Sequence, residues 1–437
     1  MAPCSTPTRR STSPPEQPPT SGRGAPPGSA PLPRPDRSST LSATTHVLVI
    51  GAGAAGSAAV RELAPQEKIT TTAIIDAEIA PYNRTLVNKA VATGLIDTHQ
   101  AQLPPLPGSV VRDSVRAVDP REQTVHLRSG ARLDYDALIV ATGSAPRPLP
   151  SGVAAPAAVD SARMTHLHSL DDALRVRAAL AATTSPRVLI YGAGMIGAET
   201  SGILRDAGCQ VTLAASSPVP GITAFGAAVA EQLARAHRRA VTTRFGHTLT
   251  HLDLEKNEVR AEFSDGHVAT VDLVITALGT IAVSPSPWNG PIAVDHRLRS
   301  RTHDHIYAAG GVAVHESDGL TWRIDHWSDA EAQGVHAARS LLASIGLADS
   351  PGIYRPRALY SAQIHQHLYL AAGHTSHSEN VQTTSIVPLV LTHERAGQLI
   401  GVSGLDAGAA VMALVPELHS SIESMPRAES TPSTDTP

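Results

Sequence analysis

The pattern Gly-x-Gly-x-x-Gly occurs twice in this chain, each time directly after a short apolar run. The first copy is Gly51-Ala52-Gly53-Ala54-Ala55-Gly56, behind His46-Val47-Leu48-Val49-Ile50. The second is Gly192-Ala193-Gly194-Met195-Ile196-Gly197, behind the run RVLIY at Arg187–Tyr191. Branched residues in unbroken apolar runs predict buried parallel strands. Helical runs follow, Ser57–Leu63 after the first copy and one opening at Ala198-Glu199 after the second. Strand, tight turn and helix are the setting in which these glycines bind a dinucleotide. The first glycine permits the turn, the second admits the pyrophosphate, and the third lets helix and strand pack. Free amides at the helix start then take the phosphates. Two such units, 141 residues apart, predict an α/β chain with two Rossmann-like three-layer domains. Two dinucleotides meeting at an interface imply hydride transfer from a nicotinamide to a flavin.

The two units differ in their second strand. In the first, Thr72–Ile75 ends in Asp76, 20 residues after Gly56. That spacing suits a bond to an adenosine ribose. In the second, Gln210–Leu213 leads to Ala215, and no carboxylate stands there. Nothing at that place repels a 2′-phosphate, and Ser216 and Ser217 can bond one. The reading leans slightly to NADPH and leaves NADH open.

Composition removes several other classes. Among 437 residues, 35 basic and 39 acidic side chains leave a net charge of −4. That balance excludes nucleic-acid binding by bulk charge. No apolar run reaches about 18 residues, so no membrane-spanning helix is expected. The two cysteines, Cys4 and Cys209, exclude a disulfide scaffold, a multi-cysteine zinc site and a redox-active pair at short spacing. Cys209, in a turn before a strand, reads as a small structural residue. His365, His367, His374 and His377 cluster late in the chain, with the first two expected on one face of a strand. No Asp or Cys joins them at close spacing, so a polar strand face is expected and no metal site. The first forty residues hold eleven prolines and no aromatic, Val or Ile. Residues 1–43 and 424–437 are expected to be disordered tails.

Further stretches match in order. Pro81-Tyr82-Asn83-Arg84-Thr85-Leu86-Val87-Asn88-Lys89, Ala141-Thr142-Gly143-Ser144-Ala145-Pro146-Arg147 and Thr276-Ala277-Leu278-Gly279 come first. Ile306-Tyr307-Ala308-Ala309-Gly310-Gly311-Val312-Ala313 follows, then Asp325-His326-Trp327 with Gln333-Gly334, then Gly397–Val402 and Val411–Leu414. With the glycine turns, these resemble the ferredoxin-reductase branch of the FAD-dependent pyridine nucleotide oxidoreductases, from about His46 to Ser421.

The resemblance implies an FAD domain in two pieces, 44–158 and 282–350. Between them lies an NAD(P)H domain, 159–281, and a smaller α/β domain follows at 351–423. It implies cofactor contacts from Gly51, Gly53, Gly56, Asp76, Arg84, Ala141, Thr142, Gly143, Arg147, Gly310 and Gly311 on the FAD side. On the nicotinamide side it implies Gly192, Gly194, Gly197 and Gly279. Lys89 and Glu199 become the catalytic candidates, Lys89 as a cation at the reactive flavin edge and Glu199 on the nicotinamide side, pairing with Lys89 or with the carboxamide. Without the resemblance, Lys89 reads as a solvated surface lysine and Glu199 as a first-turn helix acid. Trp327 would stack near the flavin, or else serve as a core aromatic.

Departures are specific. The branch has Gly-Asp where this chain has Gly310-Gly311, and that aspartate bonds the ribityl and phosphate region of FAD. Losing a charged hydrogen bond costs roughly 1.5–3 kcal/mol, about ten- to a hundredfold in affinity. Glu316 is the candidate to replace it, and restoring Gly311→Asp is expected to tighten FAD. A further acid is missing at Tyr360-Ser361-Ala362-Gln363. The expected activity is an NAD(P)H-dependent FAD oxidoreductase in the cytoplasm, feeding a ferredoxin-like one-electron carrier. The alternatives are an NAD(P)H oxidase or quinone reductase, and a flavin-poor binding protein.

Overall fold

Both glycine-flanked apolar runs are central strands of parallel sheets. The computed structural model describes residues 44–75, 80–317, 320–376 and 378–420; the expected tails, Cys4, Asp76 and His377 lie outside them. From Thr44 on, the chain forms one unit by its contacts. In the first sheet Thr45–Ile50 lies between Ile69–Ile75 and Ala137–Val140, with Ser109–Arg112 and Ile306–Ala308 at the edges. All its pairings are parallel. The edge strand Ile306–Ala308 returns from beyond the second sheet, so this sheet is assembled from two stretches of sequence. Val47, Leu48, Val49, Leu138 and Ile139 are fully buried in it, as a strand covered on both faces requires. Helices Ala54–Leu63 and Trp327–Ser344 pack together beside it. An antiparallel sheet of Val115–Asp119, Thr124–Leu127 and Arg132–Asp134 joins the same core through Val118 and Val125.

The second sheet repeats the plan. Arg187–Tyr191 lies between Gln210–Ala215 and Leu273–Thr276, with Thr242–Phe245 and Met164–Thr165 outside. Its pairings are parallel too. Helices Leu170–Ala181, Met195–Asp206 and Ala227–Ala240 accompany it. The two crossovers meet as a short antiparallel ribbon, Ser144–Pro146 against Thr280–Ala282. The fold class is therefore α/β with Rossmann-like sheets, as expected.

The C-terminal part is a five-stranded antiparallel sheet with the helix Gly408–Leu414. Its strands run in the order Leu359–Ile364, His367–Gly373, Gln398–Leu405, Leu389–Arg395, Asn380–Ile386. The histidine expectation needs correction here. His365 sits in the hairpin turn at φ +54°, so it shares no strand face with His367. Its Nε2 lies 2.7 Å from His237 Nδ1, whereas His367 Nδ1 lies 2.7 Å from Asp406. Among the described residues no His, Cys, Asp and Glu group could hold a metal. Cys209 is buried, and burial pushes its thiol pKa up, which makes it unreactive. No helix among the described residues is long and apolar enough to cross a membrane.

Candidate functional site

The two glycine turns are built alike to within tenths of an ångström. Gly51 has φ +99°, and a Cβ there would lie 2.8 Å from the carbonyl carbon of Ala141. Gly192 has φ +111°, and its Cβ would lie 2.7 Å from that of Ala277. Only glycine accepts both the backbone angle and the crowding. The third glycines, Gly56 and Gly197, press against the carbonyls of Gly51 and Gly192. The middle ones, Gly53 and Gly194, have nothing within 4 Å of a would-be Cβ, and each precedes the first turn of its helix. Each turn is thus a bare backbone cradle with helix amides behind it, which suits a pyrophosphate. Gly143 and Gly279, opening the crossover ribbon, likewise leave their Cβ space open. The residues present fit two dinucleotides.

Lys89 and Glu199 do meet. Lys89 lies in a π-helical turn, Val87–Val91, a form common at functional sites. Its Nζ stands 3.3 Å from Glu199 Oε1. The lysine side chain is 39% exposed and the glutamate only 3%, so the pair has one open end. Glu199 also accepts from Asn88 Nδ2 at 3.0 Å and from the Gln363 backbone N–H at 2.9 Å. Its carboxylate therefore joins three parts of the chain: the Lys89 turn, the second glycine helix and the C-terminal sheet. Asn88 and Gln363 lie inside sequence motifs, but nothing in those motifs marks them as partners of Glu199.

The other expected residues take separate partners. Arg84 Nη1 lies 3.0 Å from His168 Nε2. Burial, then Arg84, lowers the pKa of His168 to about 4, so that ring is neutral and can accept. Arg147 is exposed, with its backbone N–H bonded to Gly279 O at 2.9 Å. Trp327 is half-buried and lines a cleft of about 500 Å³ with Ala54, Ser57, Arg61, Leu103 and Pro104. His326 is the one nearer Lys89: burial first, and Lys89 next, lower its pKa to about 4. Its ring lies 5.0 Å from that of Tyr360.

The Gly310-Gly311 segment is held from behind. Gly310 N–H donates to Gln333 Oε1 at 2.8 Å, and Gln333 Nε2 donates to Asp329 at 2.6 Å. Glu316 does not stand in for the missing aspartate. It points to Arg301, 3.8 Å away, from an exposed strand position. The acid that reaches Gly311 is Asp325, which the sequence motif contained without marking it as a contact.

The model of the pyridine nucleotide-disulphide oxidoreductase family matches residues 45–334. The chain is 27% identical to the ferredoxin–NAD(+) reductase component of the p-cumate 2,3-dioxygenase system of Pseudomonas putida. That match covers 68% of this chain and 75% of the relative. It is 30% identical to putidaredoxin reductase of Pseudomonas putida, over 55% of this chain and 59% of that one. A solved ferredoxin reductase for the CYP199A2 system from Rhodopseudomonas palustris superimposes with a TM-score of 0.74. There the identity is 23%, covering 87% of this chain and 96% of the other, and the likeness shows the fold.

Proposed function

The chain belongs to the pyridine nucleotide-disulphide oxidoreductase family, and on that premise we propose that it is a ferredoxin reductase. It takes electrons from a reduced nicotinamide onto FAD and passes them to a ferredoxin-like carrier. The observation that carries this reading is the matched pair of glycine cradles with Lys89 and Glu199 paired between their domains. The p-cumate relative is named for NAD(+), which favours NADH as donor over the NADPH lean of the bare sequence. Both named relatives serve redox carriers, and no protein thiol pair relays electrons here.

FAD belongs to segments 44–158 and 282–350 and the nicotinamide to 159–281, with 351–423 as the smaller C-terminal domain. Bound FAD supplies a group that takes two electrons together and releases them singly. Gly51, Gly53 and Gly56 receive its pyrophosphate, Asp76 its ribose, and Arg84 and Arg147 add positive charge. Ala141, Thr142 and Gly143 line the same side. Gly192, Gly194, Gly197 and Gly279 receive the nicotinamide dinucleotide. Lys89 holds a cation at the flavin edge, and Glu199 fixes its position. Cytoplasmic residence is part of the same proposal, and cell fractionation tests it.

The test is the visible spectrum of the purified protein, taken before and after anaerobic NADH and then NADPH. A flavin spectrum bleached by NADH at low concentration, with ferredoxin-dependent cytochrome c reduction, is expected. A colourless protein that takes up no FAD overturns the reading in favour of a binding protein. A bleached flavin that reduces quinones or oxygen but no ferredoxin moves it to the oxidase or quinone reductase alternative.

A further inference from the structure

We propose that Asp325 supplies, from a neighbouring segment, the carboxylate that Gly311 lacks, and that it accepts hydrogen bonds from the sugar-alcohol hydroxyls of bound FAD. This rests on the FAD reading above. The observation is one of space. A Cβ on Gly311 would fall 3.0 Å from Asp325 Cγ, closer still to Oδ1, and 3.3 Å from Ser144 Cβ. Asp325 Oδ1 in fact stands as far from that point as an aspartate's own carboxylate oxygen stands from its Cβ. The glycine is therefore no simple loss. It clears the place that another carboxylate fills.

Asp325 is fixed there by its surroundings. Its Oδ2 accepts from the Thr280 hydroxyl and from Arg323 Nη1 at 3.4 Å. Arg323 also donates to Gly311 O at 2.8 Å and, through Nη2, to Thr280 O and Oγ1, each at 2.8 Å. The guanidinium thus ties residues 280, 311 and 325 into one plate. Oδ1 takes no donor among the described residues. The side chain is 28% exposed, so that oxygen can reach a ligand. Arg323 already balances the charge of Asp325, so the free oxygen suits a neutral hydroxyl better than a metal cation. Gly143 and Gly279, with φ +75° and +80°, leave open backbone on the same crossover. The arrangement is a built acceptor beside the FAD cradle.

It reverses the expectation that Gly311→Asp tightens FAD. The new side chain would meet Asp325 and set two carboxylates against each other. The test uses the full chain and two probes, FAD and ADP, which lacks the sugar-alcohol chain. Dissociation constants are measured by flavin fluorescence and calorimetry. Asp325→Ala is expected to weaken FAD about ten- to a hundredfold while leaving ADP affinity within about twofold. Gly311→Asp alone should also weaken FAD. Gly311→Asp combined with Asp325→Ala should return FAD affinity to within a few-fold of wild type. Asp325→Asn, which keeps shape and the Thr280 contact, serves if the alanine variant does not fold. Wild-type FAD affinity in both Asp325 variants, or a double variant no better than Gly311→Asp, overturns the proposal. Wild-type protein that binds ADP but never FAD overturns the parent reading, and this one with it.

Discussion

Glu199 is the residue on which the site's parts converge, and both oxygens of its buried carboxylate are engaged. Two neutral donors and one cation point at it: Asn88, the Gln363 amide and Lys89. Glu199→Ala would strand the buried Asn88 amide and take the acceptor from the part-buried Gln363 N–H. Each unsatisfied buried donor costs about 1–3 kcal/mol, so a melting-temperature drop of several degrees is expected. Lys89 is half open, and Lys89→Ala strands no donor but leaves the buried Glu199 carboxylate without its cation. That variant should keep FAD and lose some melting temperature, while flavin reduction slows at least tenfold in stopped flow. Reduction at the wild-type rate would remove Lys89 from the chemistry. The pair was legible in sequence only through the motif holding Lys89. Of its supports, Asn88 lies in the same motif without a marked role, and Gln363 comes from a strand that approaches only after folding. The same limit hid Asp325: Gly311 reads as a deletion of charge until the two segments are seen to share one space.

At the scale of elements, the first strand, turn and helix of each Rossmann unit follow directly from local pattern. Apolar runs of branched residues fix the strands, and crowding at Gly51 and Gly192 fixes the turns. Both helices begin three residues before the local pattern predicts, at Ala54 and Met195, because the glycine at each N-cap has no side chain to signal the start. The hairpin at His365 carries no turn signal in sequence because its left-handed residue is not glycine or asparagine. The duplicated geometry lets one unit be broken without the other. A methyl group on Gly56 or Gly197 would strike the carbonyl of the first glycine in its own turn. Such overpacking costs about 1–3 kcal/mol and moves the helix amides off the cradle. Gly56→Ala should lower the flavin-to-protein absorbance ratio. Gly197→Ala should keep that ratio and raise the KM for NADH about tenfold or more. Equal flavin loss in both variants would contradict the division of labour between the two cradles.

Across the whole molecule, stability is tied to pH by histidines buried away from the glycine turns. Burial lowers the pKa of His237 and His315 to about 3, and of His336, His365 and His393 to about 4. Unfolded, each returns to its ordinary value of 6.5. Between these values the unfolded chain binds the proton and the folded one does not, so stability falls as pH falls. The contribution is whole above pH 6.5 and is lost downward toward pH 3–4. Asp329 opposes this: burial raises its carboxyl to about 6, so its term improves as pH falls from there toward 4. Asp329 is outweighed by these five and by His168 and His326, which shift the same way, so the acid side is the unstable one. Two histidines acting in full remove about 3–4 kcal/mol between pH 6.5 and 5, against a typical total of about 5–15. Melting temperature should be flat from pH 8 to 7 and fall steeply below 6.5. His315 is the most informative single position, because its ring stacks on Trp322 at 3.6 Å and an apolar ring can take its place. His315→Phe should raise the melting temperature more at pH 5.5 than at pH 8. An equal change at both pH values would show that packing, and not the proton, sets its contribution.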